Sequence, residues 1–344
     1  MTQEYRFSFG PWNLHEGADP FGPPVRPTIQ FAEKLRAYKE LGFEGVQFHD
    51  DDAAPGIDGL SAGELEKTVK NLKKVLADEG LTPEFVAPRL WEDPRGIDGG
   101  YTANDAKCRE WALARSRRAV DVANLLGTRL IVLWLAREGT YIRESKDAIK
   151  AYDQIVAAIN HLLEYDPNIQ ILIEPKPNEP VDQAYVPTIG HALAVAARTI
   201  DPNRVGGLIE TAHAKLAGLD PSDEMAFALS AGKLWSVHLN DQNGLKFDED
   251  KTFGAADLRG AYNQVRVLER GGYAATGRFV GLDVKAMRTQ GAGVASKHLS
   301  NSKAVFLRLV HKVRSFSPER EAELMRSRNY EQLEFEILDH LMSA

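Results

Sequence analysis

The most constraining feature of this sequence is a unit that repeats eight times, in which a short apolar segment is followed by an amphipathic helical stretch. Short continuous apolar segments bounded by turn residues are typical of buried parallel strands. They lie at residues 5–9, 45–48, 82–86, 129–133, 169–173, 205–209, 235–237 and 279–282. Eight such units in 344 residues predict an α/β protein with the (β/α)8 TIM-barrel fold in preference to a doubly wound sheet. No GxGxxG motif follows the first strand, which further weakens the dinucleotide-binding alternative.

We predict that residues 1–295 form the barrel and that residues 296–344 form a short helical extension that makes oligomer contacts. The chain carries 49 acidic and 42 basic residues, and this balance argues against a nucleic-acid partner. No apolar run is long enough to cross a bilayer, and the first residues lack the pattern of a signal peptide. We therefore expect a cytoplasmic protein without a membrane partner. The only cysteine, Cys108, excludes an intrachain disulfide.

Polar and aromatic residues stand where the predicted apolar strands end. Six strands end in residues of this kind: His49, Trp134, Glu174, Glu210, His238 and Asp283. In barrels of this type the carboxyl ends of the strands meet at one mouth, which is where chemistry takes place. Each residue alone is compatible with a solvated turn or a core histidine. Together they predict a divalent cation at the mouth, because converging carboxylates repel one another unless a cation lies between them.

A second set of ligand-type residues predicts a second metal close to the first. Glu210 and His213 belong to the segment ETAH, and Asp248 and Asp250 alternate in KFDED. Both aspartates would face the same way if that segment were extended, and Glu210 would then bridge two metals. Oxygen-rich sites with imidazole suit Mg²⁺, Mn²⁺ or Co²⁺ and also permit Zn²⁺. The alternative for KFDED is an exposed acidic loop.

Several motifs, in this order along the chain, resemble the D-xylose isomerases. They are FHDDD (48–52), REG (137–139), IEPKPNEP (173–180), the segment around 210–213, AGKL followed by LN (231–240), and KFDED followed by FGAADLR (246–259). Members of that family are metal-dependent (β/α)8 barrels that interconvert an aldose and a ketose by a hydride shift between C2 and C1. The resemblance therefore implies a metal-dependent sugar isomerase, with D-xylose as the simplest substrate.

The resemblance also implies a role for each matching residue. The metal that holds the sugar hydroxyls would be bound by Glu174, Glu210, His238 and Asp283. The second metal would be bound by Glu210, His213, Asp248 and Asp250. Lys176 would donate to the C1 oxygen, and His49, oriented by Asp52, would assist ring opening. The substrate-binding residues would be Trp12, Trp134, Lys285 and, from a neighbouring subunit, Phe21.

The sequence departs from this family at several positions. His238 stands where the family has an aspartate, and this change disfavours Mg²⁺ relative to Mn²⁺, Co²⁺ or Zn²⁺. Rhamnose isomerases resemble the chain here, because they also place a histidine in the structural metal site. The family's segment after the third strand is replaced by APRLW (87–91), the glycine pair after Trp134 by Leu135 and Ala136, and the second N-terminal tryptophan is missing. We expect a rebuilt sugar pocket and, since the C-terminal arm is short, a homodimer or a homotetramer.

Two other functions remain open from the sequence. One is a metal-dependent sugar epimerase or dehydratase on the same barrel, with Glu179 or Glu174 as the carboxylate base. The other is a sugar-binding protein that has kept the metals but lost turnover. The retained Lys176, His49 and Asp52 count against this last possibility.

Overall fold

A computed structural model describes residues 4–18 and 22–343 of the chain. Eight parallel strands form a closed barrel in which each strand pairs with the next along the chain, and the last pairs with the first through Arg6 and Phe279. The strands are Arg6–Phe9, Gly45–His49, Thr82–Ala87, Leu130–Trp134, Gln170–Glu174, Val205–Glu210, Leu234–Leu239 and Phe279–Leu282. The predicted fold is confirmed, and the predicted strand positions agree with the observed ones to within one or two residues.

Twelve α-helices occur in the described residues, and the longer ones surround the barrel. They are α1 (Phe31–Glu40), α2 (Asp50–Ala53), α3 (Ala62–Asp78), α4 (Ala106–Leu126), α5 (Ala148–Tyr165), α6 (Ile189–Ala197), α7 (Thr211–Leu216), α8 (Pro221–Ser230), α9 (Leu258–Arg270), α10 (Lys297–Ser315), α11 (Pro318–Arg326) and α12 (Tyr330–Met342). None of these helices is long and apolar enough to cross a membrane.

Side-chain capping marks the start of several helices in the described part of the chain. Ser61 caps α3, where its hydroxyl accepts from the amide of Glu64 and its amide donates to the Glu64 carboxylate, as a capping box requires. Helix α4 begins after Asp105, not after Thr102 or Asn104 as the sequence pattern suggests. The reason is that the amide and hydroxyl of Thr102 both donate to the buried carboxylate of Glu138, so Thr102 is held in the preceding loop.

The C-terminal region begins with a helix that completes the barrel. Helix α10 starts just after the predicted boundary at residue 295, and Phe306 and Leu309 of this helix pack in the same hydrophobic core as the barrel strands. Phe306 contacts Tyr5 and Phe7 edge to face, with ring centroids 4.9 and 5.4 Å away. Helices α11 and α12 follow on the outside, and α12 buries none of its residues.

Candidate metal centre

Four ligand-type side chains meet at the carboxyl ends of the last four strands. One donor atom from each of them lies within 4.8 Å of one from every other, and they are Glu174, Glu210, His238 and Asp283. Strand register explains the meeting, because Glu210 pairs directly with His238 in the sheet. The structure therefore brings together all four residues that the sequence predicts for the first metal.

His238 lies among the carboxylates of this group. Its Nδ1 is 3.2 Å from Oε1 of Glu174 and 3.6 Å from Oδ2 of Asp283. Its Nε2 is buried and has no partner among the described residues. Asp283 is held from the other side by Trp12, whose indole Nε1 donates to Oδ1 over 2.8 Å. The histidine that departs from the resembled family thus lies among the other candidate ligands.

A second group shares Glu210 with the first. Donor atoms of Glu210, His213 and Asp248 lie within 4.8 Å of one another. Glu210 ends the sixth strand and α7 begins at Thr211. The first turn of this helix brings His213, three residues after Glu210, close to the glutamate side chain. The Nε2 atom of His213 is 3.2 Å from Oε2 of Glu210 and 3.2 Å from Oδ2 of Asp248.

Asp250 does not join the second group. Its backbone has φ of 46°, which breaks the extended alternation that would place it on the same side as Asp248. Its carboxylate instead accepts from Asn240 over 3.0 Å and pairs with Nζ of Lys285 over 2.8 Å. Asp250 therefore lies at the edge of the cluster, and its role as a ligand stays a prediction.

The electrostatics of the cluster favour a cation. Burial and the charges of Asp248, Asp283 and Asp250 raise the pKa of Glu210 well above its usual range. Burial and Asp248 likewise raise the pKa of Asp250 well above its usual range. A divalent ion among these oxygens would remove the repulsion that causes both shifts. His213 presents Nε2 and His238 presents Nδ1 to these carboxylates, so each ring offers one ligand atom to such an ion. Oδ1 of Asp248 is buried and has no hydrogen-bond partner among the described residues, so it offers another.

Two other members of the first group, His238 and Glu174, hold opposite charges. Burial lowers the pKa of His238, but the charge of Glu174 and its hydrogen bond prevail and raise it to about 9. Burial acts against ionisation of Glu174, yet the same contact with His238 lowers the pKa of that carboxyl. Protonated His238 therefore supplies a positive charge beside Glu174. A metal ion that binds the ring nitrogen must displace this proton.

Lys176 forms a buried ion pair with the second group. Its Nζ donates to Oδ2 of Asp248 over 2.8 Å, lies 3.4 Å from Oε2 of Glu179 and stands 5.2 Å from the ring of Trp134. Burial opposes the charge of Lys176, but Asp248 more than compensates and raises the pKa of the ammonium. Lys176 is therefore a permanent donor at this end of the mouth. Glu179 is more exposed and accepts from the amide of Asp248.

An arc of aromatic rings closes the other half of the mouth. The arc begins at Trp134, which lies beside Lys176. The ring centroids of Trp134 and Trp91 are 4.6 Å apart, and those of Trp91 and His49 are 5.1 Å apart. His49 then contacts Trp12 at 4.4 Å, and Trp12 reaches the metal cluster through Asp283. The mouth thus has candidate metal ligands on one side and aromatic rings on the other. Trp91 was not predicted as a site residue, although it lies in the APRLW segment that departs from the resembled family.

His49 has two partners at one ring nitrogen. Its Nδ1 lies 3.1 Å from Oδ2 of Asp52, as predicted, but also 2.5 Å from Nη2 of Arg89. Arg89 is the second site residue that sequence reasoning missed, and its signal was the same APRLW segment.

Of the other predicted binding residues, one lies in the pocket region and one outside the described residues. Lys285 pairs with Asp250 and donates to the backbone carbonyl of Asp248 over 3.2 Å, so it borders the cluster. Burial opposes its charge, but Asp250 raises its pKa. Phe21 is not among the residues that the structure describes.

The fold and the residues at its mouth define a (β/α)8 barrel with a candidate metal centre. A family model described as a xylose isomerase-like TIM barrel matches residues 35–292, and the chain therefore belongs to the xylose isomerase-like TIM barrel family. This confirms the coarser part of the resemblance; the narrower assignment to the D-xylose isomerases stays a prediction.

Solved structures with the same fold include proteins of several descriptions. A D-tagatose 3-epimerase-like protein is 16% identical, with 89% of this chain and 98% of that chain covered and a TM-score of 0.64. A 3-keto-D-glucoside 4-epimerase from E. coli is 14% identical, with 89% and 100% covered and a TM-score of 0.62. The IOLI protein with a bound zinc atom is 14% identical, with 90% and 100% covered and a TM-score of 0.62. At these identities the likeness concerns the fold alone.

Proposed function

We propose that the protein is a metal-dependent aldose-ketose isomerase that interconverts D-xylose and D-xylulose, or a related pair, by a hydride shift between C2 and C1. The observation that carries the proposal is the pair of ligand groups that share Glu210, with Lys176 beside them. A hydride shift needs charge stabilisation at two adjacent substrate oxygens, and two neighbouring cations with a buried ammonium supply it.

The residues divide the work according to their chemistry. Glu174, Glu210, His238 and Asp283 would hold one divalent ion, and Glu210, His213, Asp248 and Asp250 a second. Bound ions of this kind act as Lewis acids toward sugar oxygens. Lys176 donates to the C1 oxygen, where negative charge develops. The rings of Trp12, Trp91 and Trp134 exclude water, which would otherwise weaken these electrostatic interactions.

The donor atoms support Mn²⁺ or Co²⁺ as the working metals, with Mg²⁺ and Zn²⁺ as further candidates. Each group combines carboxylate oxygens with one imidazole, a mixture that the first-row transition metals bind more tightly than Mg²⁺ does. The IOLI structure, which has the same fold, is described with a bound zinc atom.

A sugar epimerase is the second candidate function. The observation that favours it is that some structures with this fold are described as sugar epimerases. A carboxylate base would accept the proton from a substrate carbon. Glu174 and Glu179 are the alternative bases that the sequence suggests.

Deuterium at C2 of the substrate separates the two candidates. The metal-free protein is supplied singly with Mn²⁺, Co²⁺, Mg²⁺ or Zn²⁺ and tested on a panel of C2-deuterated aldoses. A hydride shift retains the deuterium at C1 of the ketose, whereas removal by a carboxylate base loses it to solvent. Absence of conversion of every aldose with every metal would contradict the isomerase.

We further propose that the protein acts in the cytoplasm as a homodimer or homotetramer, with a sugar as its small-molecule partner. Exposed apolar side chains support self-association, because Tyr141, Leu245 and Phe247 line a surface groove of about 660 Å³ beside the pocket. Light scattering on the purified protein and on a Phe247→Glu variant tests this. A monomer in both cases would contradict it.

A further inference from the structure

We infer that Arg89 positions His49 for the reaction by donating to its Nδ1, so that the ring is neutral and carries its only proton on Nε2. The inference rests on the proposed function in one respect only, namely that the Nε2 proton is donated to a sugar oxygen. It assigns to Arg89 the orienting role that the family resemblance implies for Asp52.

The chemistry of the two partners decides which of them the ring can satisfy. A guanidinium can only donate and a carboxylate can only accept. A neutral imidazole nitrogen has a single role, so Nδ1 cannot serve both. Nη2 of Arg89 is 2.5 Å from Nδ1, and Oδ2 of Asp52 is 3.1 Å away. A protonated Nδ1 would set its N–H against an N–H of Arg89, which can only donate, so Nδ1 is the acceptor and the proton lies on Nε2.

Asp52 does not need the ring proton. Its Oδ2 accepts from the backbone amide of His49 over 3.1 Å, and its Oδ1 accepts from Arg89 over 3.2 Å. Arg89 neutralises part of the carboxylate charge that would otherwise favour an imidazolium at His49.

Arg89 is held firmly enough to act in this way. Its amide donates to Oδ1 of Asp50 over 3.1 Å, and Asp50 is itself paired with the buried Arg115. The guanidinium also lies 3.2 Å from Asp51 and 3.3 Å from Glu92. A guanidinium keeps its charge at any pH that the protein tolerates, so the donor does not change.

This arrangement leaves Nε2 of the His49 ring available to a substrate. Nε2 of His49 makes no hydrogen bond to a described residue, while Trp12 and Trp91 pack against the ring. His49 is therefore a fixed hydrogen-bond donor toward a sugar oxygen, held by Arg89 on one side and by two indoles on its faces and edge.

The test is ¹⁵N NMR of the Mg²⁺-loaded protein labelled at histidine, with the His49 signals assigned by a His49→Gln variant. The expected result is an unprotonated Nδ1 and a protonated Nε2. A protonated Nδ1 in the unsubstituted protein would overturn the inference. This readout needs no turnover, so it stands apart from any failure of the proposed isomerase activity.

Two substitutions identify which partner sets the tautomer. Arg89→Met should move the proton to Nδ1, where Asp52 becomes the only partner, and should lower kcat more than tenfold. Asp52→Asn, which keeps the shape of the side chain, should leave the proton on Nε2. If Arg89→Met leaves Nδ1 unprotonated, or if Asp52→Asn moves the proton, Arg89 does not position His49. Arg89→Lys restores a donor, and partial recovery of the Nε2 tautomer is expected.

Discussion

Nζ of Lys176 lies 2.8 Å from Oδ2 of Asp248, and the same oxygen is 3.2 Å from Nε2 of His213. Lys176 follows the fifth strand and Asp248 belongs to the loop after the seventh. The contact therefore joins the proposed electrophilic group to the second ligand group across the barrel mouth. The charge of the lysine is stabilised by a residue that would also bind a metal.

Lys176→Met should abolish most turnover without removing the metals. The variant loses the ammonium that stabilises charge on the substrate oxygen, and loss of one such donor lowers kcat by about 10²–10³. Steady-state kinetics at saturating Mn²⁺, together with metal analysis, test this. The exposed Lys107→Met serves as the matched control. Full activity in Lys176→Met would exclude the lysine from the chemistry.

Glu210→Gln should weaken both metal sites at once. Glu210 belongs to both ligand groups, and removal of a direct ligand should cost more than the roughly 10–100-fold that loss of an outer partner costs. Isothermal titration with Mn²⁺ measures both affinities and the stoichiometry. Glu110→Gln, on the exposed side of α4, is the control. A variant that loses only one of two sites would disprove the shared ligand.

Trp91→Ala should widen the pocket between His49 and Trp134. Because Trp91 contacts both of these rings, its removal leaves space for a longer sugar. We expect the ratio of kcat/KM for a hexose to that for a pentose to rise about tenfold, the scale on which one methylene is discriminated. Trp111→Ala on α4 is the control and should leave the ratio unchanged. An unchanged ratio in Trp91→Ala would mean that Trp91 does not limit the length of the sugar that the protein accepts.

His298 should make stability depend on pH. The ring is buried and its Nε2 contacts the carbonyl of Asn13 over 2.9 Å; burial lowers the pKa of His298 to about 4 from an ordinary 6.5. The unfolded chain therefore binds a proton that the folded chain does not between these values. The resulting stabilisation is fully present above pH 6.5. As the pH falls from 6.5 to 4, the free energy of unfolding decreases by about 3 kcal/mol. Urea unfolding of the metal-free protein and of His298→Gln measures it; parallel pH curves would contradict this assignment.

Phe306→Ala should show that α10 is part of the barrel. The side chain is fully buried and contacts Tyr5, Phe7 and Phe253. Truncation of a buried phenylalanine costs about 3–5 kcal/mol. Chemical denaturation measures the loss, with Phe335→Ala on the exposed face of α12 as the control. A loss below about 1 kcal/mol would mean that residues after 296 fold as a separate extension.

Most of the fold was predictable from the sequence because its signals are local. Each apolar run and each cap, such as Ser61 with Glu64, depends on residues a few positions apart. The end of a strand is equally local, so Glu174 and Glu210 could be placed at the mouth in advance. The exception was the start of α4, where Glu138, 36 residues from Thr102, holds the loop.

The sequence by itself determined the barrel and which residue types stand at its strand ends. Only the tertiary structure decided how they pair. It turned Asp250 toward Lys285 through a left-handed backbone, and it brought Arg89 to His49 across 40 residues. Strand ends are positioned by the regular geometry of the sheet, which the apolar pattern encodes. Loop side chains are positioned by contacts between distant segments, and these form only when the whole barrel closes.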